Sequence, residues 1–315
     1  MEILALFVGG CALAAALLWG ANCLYMRSPH YQNQVRFIQK FIQGVPDHLC
    51  VMNTGSNHAL FAIDWTLVNV HGFNLASGSQ SLSWDDRLLR KYRSHLEPGG
   101  VILIVLSDLV LAFLEYSDPG ADRRYYSFMR ATEIPRYTWR RAIRYHSLPV
   151  LANWRNIIRC FRHRGEIFVE RVSSPEYAEQ ESDARIAGWK KEFRLPDLHH
   201  RQSADHLHNE IEQAAELLRH MVDEAAKLGF RPILMIPPLS AIFHQKIGSD
   251  FVDEVLYRPL RERFSDVPLL DYMSDERFQD YRLYQNGDFM NAEGRKAFMP
   301  VLWHDIQSCI RDKNV

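Results

Sequence analysis

From Asp47 onward the chain alternates short apolar runs with longer amphipathic stretches, the signature of a parallel sheet whose strands are joined by crossover helices. Strands are expected at residues 49–54, 69–76, 101–107, 232–237 and 267–272. Helical spacing covers residues 83–96, 204–228 and 251–264, and a last helix runs from near Asn291 through Ile310, with Ala297, Val301, Leu302 and Ile306 on one face. Glu97-Pro98-Gly99-Gly100 reads as a turn that ends one helix and launches a strand. Asp64 and Trp65 are expected at the end of the first helix. Asp85 and Asp86 are expected on an exposed helix start, where the positive end of the helix dipole favours carboxylates.

Ahead of this rhythm, Ile3 to Met26 carries no charged residue, which at about 1.5 Å per residue is enough to cross a hydrocarbon core of about 30 Å. Residues 1–27 are read as a transmembrane anchor retained in the mature chain, because a cleaved signal needs a basic start and the only charge before the run is Glu2. Residues 28–46 are read as a linker helix and 47–315 as the α/β domain. Arg27, Arg36 and Lys40 flank the anchor on the domain side, which by the positive-inside bias favours a cytoplasmic domain.

Residues 109–204 exceed what a strand-to-helix connection needs and are read as a helical insertion. Between Arg123 and Arg171 lie twelve arginines and no lysine, opposed only by Glu133, Glu166 and Glu170, with Tyr125, Tyr126, Tyr137, Trp139, Tyr145 and Trp154 interleaved. Guanidinium groups bind phosphate or carboxylate bidentately, and such aromatics suit a membrane interface, so Arg140, Arg141 and Arg144 are candidate membrane or partner contacts. A solvated arginine face paired with carboxylates elsewhere on the domain is the other reading.

The whole 315-residue chain has 37 Lys+Arg against 38 Asp+Glu, so it lacks the basic excess of sequence-independent nucleic-acid binding, and no nucleic-acid partner is expected. It contains no glycine-rich phosphate loop, no HExxH and no CxxC pair, and its five scattered cysteines make no disulfide framework. Asp197, His199, His200, Asp205, His206 and His208 could ligate a metal, yet the i,i+2 spacing of the last two histidines favours a solvated linker. No cofactor or metal is expected.

The chemistry-bearing residues follow the first strand, in Asn53-Thr54-Gly55-Ser56-Asn57-His58. A serine on the tight turn between a strand and a helix is presented at the carboxyl edge of the sheet, where a nucleophile belongs. Capping of the helix is the other use of Ser56. A small-residue loop, Phe73 to Gln80, would lie beside it, and Asn286-Gly287-Asp288-Phe289-Met290-Asn291-Ala292-Glu293-Gly294-Arg295 opens the last helix.

With these three blocks in order, the chain resembles the SGNH/GDSL hydrolase superfamily, in its membrane-anchored branch related to D-alanine transfer proteins of teichoic acid synthesis and to alginate-acetylation proteins. The resemblance covers roughly residues 47–309 outside the insertion, and takes in Arg231 to Pro238. It implies a three-layer α/β/α fold and an extracytoplasmic domain, the side adopted here against the flanking charges. It also implies a nucleophile at Ser56 and an oxyanion hole from Ser77 or Gly78 and from Ser107 and Asp108, with Gly55, Asn57 and Asn291 as further candidate contacts. In the superfamily the last block carries an aspartate and, three residues on, the base histidine. One alignment frame puts Asn286 and Phe289 at those positions and the other Asp288 and Asn291, and neither supplies a histidine. His58 and His304 are expected to be structural or surface residues, the first because i and i+2 on a helix face different sides.

Two functions are therefore expected. One is a membrane-anchored enzyme of acyl transfer, acetyl or D-alanyl, to or from a cell-surface polysaccharide or teichoic-acid-type polymer, with Ser56 as nucleophile and Asp288 orienting. The other is a catalytically inactive module that binds an anionic glycopolymer or a membrane-bound O-acyltransferase.

Overall fold

The computed structural model describes residues 1–112, 114, 121–157 and 170–312; Arg159, Cys160, Arg162, Arg164 and Glu166 of the arginine-rich stretch lie outside the described residues. The chain folds as two compact units, one of residues 1–44 and 118–169, the other of residues 45–117 and 170–315. The stretch 109–204 is thus shared between them.

The first unit contains helix α1, Glu2–Met26, whose side chains are exposed until its last turns and which is long and apolar enough to cross a membrane. Asn22 and Tyr25 are buried at that end. The Asn22 side chain accepts from the Val150 amide at 3.1 Å and donates to the Ser147 carbonyl at 3.4 Å, while Asn153 donates to the Tyr25 hydroxyl at 2.6 Å. A small apolar cluster of Tyr25 and Val150, with Tyr31, Leu151 and Ile157 against it, fills the space between. Residues 28–46 hold two short helices, Pro29–Val35 and Gln39–Ile42, rather than one; the Ser28 hydroxyl caps the first, accepting from the Tyr31 amide at 3.3 Å.

The second unit is built on a five-stranded, fully parallel sheet in the order β2-β1-β3-β4-β5, with β1 Leu49–Asn53, β2 Gly72–Asn74, β3 Leu96–Val105, β4 Arg231–Ile236 and β5 Leu269–Asp271. Its main helices are α2 Asn57–Ala62, α3 Leu82–Tyr92, α4 Pro175–Glu192, α5 His208–Lys227 and α6 Ala292–Asp312. Successive strand residues point to opposite faces. On one face Val51, Val101, Leu103, Val105, Ile233 and Met235 pack with Ala59 and Ala62 of α2 and Phe298, Met299, Leu302 and Ile306 of α6. Met52, Ile102, Ile104, Leu234 and Ile236 alternate with these, and all are buried. Helices α3 and α5 lie together, α5 against β4, completing the α/β/α layering. Because both faces are covered, the strands read as continuous apolar runs.

Three local expectations change. Glu97–Gly100 is not a separate turn: β3 already pairs Leu96 with Leu49, and the extra residues form a bulge, with Gly99 at φ +76°, before pairing resumes at Val101 with Val51. The helix expected over 251–264 breaks into Ser249–Val252, a π-helical turn Asp253–Tyr257 and Arg258–Arg263, because Pro259 has no N–H to give the preceding turn. Asp64 does not end a long helix; it caps a 3₁₀ helix, Trp65–Val68, its carboxylate accepting from the Thr66 amide at 3.1 Å.

Phe298 is fully buried and stands edge-on to Tyr272 at 5.0 Å and Phe278 at 5.2 Å. Phe298→Ala is expected to lower the stability of this unit by about 3–5 kcal/mol, read from the denaturation midpoint.

Candidate active site

In the order β2-β1-β3, the chain leaves β1 toward β2 on one side and later returns as β3 on the other, so the carboxyl ends of β1 and β3 flank a crevice at the switch point of the sheet. Ser56 follows β1, and Ser107 and Asp108 follow β3. All three line one pocket there, with Asn57, His58, Ser79, Gln80, Leu109, Val110, Arg185, Trp189 and Phe289.

The turn that presents Ser56 is strongly determined. Gly55 has φ +122°, and a Cβ on it would lie 2.8 Å from the Ala59 Cβ and 3.0 Å from the Val105 Cβ, so no side chain fits. The Gly55 amide donates to the Asp85 carboxyl at 2.9 Å. Gln80 donates to the same Asp85 oxygen at 2.7 Å and to the Gly55 carbonyl at 3.1 Å, tying the loop after β2 to the loop after β1. Below them, Asn53 donates to the Asn74 side chain at 2.8 Å and accepts from the Trp65 indole at 2.9 Å. Ser56 occupies the N-cap of α2, yet its hydroxyl does not cap the helix.

His58 is buried and stands edge-on to Phe289, ring centres 5.2 Å apart. Its Nε2 lies 3.9 Å from Oδ2 of the buried Asp288, and neither ring nitrogen has a hydrogen-bond partner. Arg185 of α4 reaches the same Asp288 oxygen at 3.2 Å and lies over the Phe289 ring at 4.5 Å. Burial, then the Arg185 charge, pushes His58 down to about 3. Burial pushes Asp288 up to about 6 against the pull of Arg185. Burial, reinforced by the Asp288 charge, pushes Asp108 up to about 7; one of its carboxyl oxygens has no partner. At neutral pH the imidazole is therefore neutral and Asp288 largely ionised.

Several expectations meet corrections. His58 is buried rather than at the surface and lines the same pocket as Ser56; Ser56 has the non-helical angles φ −101°, ψ −144°, so the helical wheel does not govern this pair. Asp85 and Asp86 are buried, because the first turn of α3 faces the Gly55 loop, whose amide needs an acceptor. The Gly55 amide is thereby taken and is no oxyanion donor. Ser77 and Gly78 do not line the pocket; Ser79, held at φ +49°, and Gln80 stand there instead. Asn291 is consumed structurally: its side chain donates to the Arg282 and Tyr284 carbonyls at 2.8 and 3.0 Å and accepts from the Gly294 amide at 3.0 Å. Asn286 makes a turn by accepting from the amides of Asp288 and Phe289, which leaves Asp288 as the carboxylate of the last block that reaches the site.

Asp108 was legible only as a residue after the third strand, and Arg185 and Trp189 carried no sequence signal, since they come from a helix within the stretch read as an insertion. Asp197 accepts from the His199 and His200 amides and from Ser203, closing a local turn. Among the described residues no three His, Cys, Asp or Glu side chains converge as a metal site would require. Arg140, Arg141 and Arg144 belong to the first unit.

No protein-family model matches the chain, and no curated protein matches it by sequence. A crystal structure from Bacteroides fragilis NCTC 9343, described as a "putative acylhydrolase", is similar in 89% of this chain and 98% of its own, at 10% identity and TM-score 0.38, a likeness too slight to bear on activity.

Burial pushes Asp85 up to about 7, despite the Gln80 and Gly55 hydrogen bonds that oppose it. A raised carboxyl stabilises the fold fully below about pH 4, and that contribution is lost as pH rises through about 7. Asp85→Asn keeps an acceptor for Gly55 and cannot ionise. It should remove up to ~1.4 kcal/mol per pH unit of slope from stability between pH 4 and 7. Asp85→Ala strands the buried Gly55 amide and should cost about 1–3 kcal/mol.

Proposed function

We propose that this pocket performs acyl transfer or ester hydrolysis through a serine nucleophile, with Ser56, His58 and Asp288 as nucleophile, base and orienting carboxylate. One observation carries the reading: an uncapped serine hydroxyl shares a switch-point pocket with a buried imidazole that faces a buried carboxylate. The base comes from the residue second after the nucleophile, in place of the histidine missing from the last block.

In this reading the Ser56 hydroxyl adds to the acyl carbonyl as its proton passes to His58, and Asp288 stabilises the imidazolium that forms. His58 then returns the proton to the departing alkoxide, leaving an acyl-serine. An acceptor hydroxyl, or water, gives up a proton to His58 as it takes the acyl group, and His58 passes that proton to the released Ser56 oxygen. Asp108, in its acid form, donates to the carbonyl oxygen as negative charge grows there, as a buried neutral carboxylic acid can. The acetyl or D-alanyl group, the cell-surface polymer and the single-pass membrane location complete the proposal, on the strength of the resemblance and of α1.

The salt bridge of Arg185 to Asp288 favours a second reading, the binding module without catalysis, because it opposes protonation of His58. A serine-directed fluorophosphonate separates the two. Labelling of the full chain, abolished by Ser56→Ala and slowed ~10²–10⁴-fold by His58→Gln, is the expected result. An unreactive wild type, or labelling that persists in Ser56→Ala, sinks the catalytic reading.

The pH profile gives a further prediction. Activity should rise as Asp288 ionises near pH 6 and fall as Asp108 loses its proton near pH 7. Asp108→Asn, which still donates, should flatten the alkaline limb in an ester-hydrolysis profile.

A further inference from the structure

The arginine-aromatic segment lies outside the mechanism above. It is attached to one place on α1: Asn22 and Tyr25, in the last turns of the helix, bind Ser147, Val150 and Asn153. Counted from Ile3, Asn22 is reached after about 30 Å of rise, the thickness of the hydrocarbon core. With α1 as the span, its hydrogen bonds therefore hold the segment at the depth where hydrocarbon gives way to headgroups.

The segment's exposed surface suits that depth. Trp139 is 63% and Trp154 59% exposed, too much for core residues. Arg140 lies over the Trp139 ring and Arg155 over the Trp154 ring, each 5.4 Å from the ring centre. None of Arg140, Arg141, Arg144 or Arg155 pairs with a carboxylate among the described residues, so these four are not part of an internally paired face. Indole rings settle at the headgroup boundary, and guanidinium groups beside them meet lipid phosphates.

We propose that residues 137–155 form an interfacial platform that lies on an anionic lipid leaflet where α1 emerges, Trp139 and Trp154 entering the headgroup boundary and Arg140, Arg141 and Arg144 binding lipid phosphate. The platform is independent of any chemistry at Ser56.

The full-length chain reconstituted in vesicles of phosphatidylcholine, with or without phosphatidylglycerol, tests this through quenching of tryptophan fluorescence by lipids brominated high on the acyl chain. Trp19 reports on α1 itself, while Trp65, Trp84, Trp189 and Trp303 belong to the sheet-bearing unit. The double variant Trp139→Phe with Trp154→Phe should lose a quenched component that Trp19→Phe retains, and that component should grow when phosphatidylglycerol is present. The triple variant Arg140→Gln, Arg141→Gln, Arg144→Gln should lose the growth with phosphatidylglycerol. If Trp19→Phe alone removes all quenching, α1 is inserted and the platform is refuted. If Trp19→Phe changes nothing, α1 is not a span and the platform falls with it. Growth that survives in the triple variant refutes phosphate binding by these arginines.

Discussion

The acceptor that Asp85 offers to the Gly55 amide is the contact on which the geometry of the crevice depends. A glycine at positive φ with no room for a Cβ turns the chain sharply out of β1, and such a turn leaves an amide pointing into the interior. A buried amide without a partner costs as much as a lost hydrogen bond. Asp85, brought by α3, supplies the partner, and Gln80 clamps both loops through the same oxygen. The turn is thereby stiff, and Ser56 is delivered at its end with its hydroxyl uncommitted to the helix it precedes.

Around that serine, three ionisable groups are set by burial in opposing directions. Water is excluded, so the charged form of each is disfavoured: the imidazole stays neutral, and Asp108 and Asp288 hold their protons to higher pH than free carboxyls do. Arg185 breaks this symmetry. Its charge lowers all three, while the Asp288 charge raises Asp108, so Asp288 ionises at lower pH than Asp108 and the imidazole remains free of its proton. A protonated carboxyl, a neutral imidazole and a carboxylate can thus coexist in one small volume.

The first unit follows a different logic. There, among the described residues, buried polar contacts tie the end of α1 to a distant segment, the Asn22 amide satisfying two of its backbone groups. Along the rest of the helix the apolar side chains are left uncovered by protein. A helix with such a surface is long and apolar enough to cross a bilayer.

Periodicity made the sheet legible, because parallel strands covered on both faces must be continuously apolar and crossovers must be amphipathic, whatever the partners are. The turn at Gly55-Ser56 was legible for the same local reason, a glycine and a small polar residue between an apolar strand and a helix. What periodicity could not convey is which distant side chains meet. Asp85 looks like a helix-start carboxylate until the Gly55 loop is folded over it, and Asn291 looks like a displaced catalytic position until its amide is seen closing the turn before α6. Arg185 and Asp108 acquire meaning only because the crossover order places α4 and the end of β3 at the crevice beside β1. Sequence alone was enough for the parallel α/β architecture, the apolar N-terminal helix and the serine turn after the first strand, since each leaves a pattern that repeats or closes within a few residues. The tertiary structure alone decided that His58 faces Asp288, because contact across more than two hundred residues depends on how layers pack and not on any local pattern.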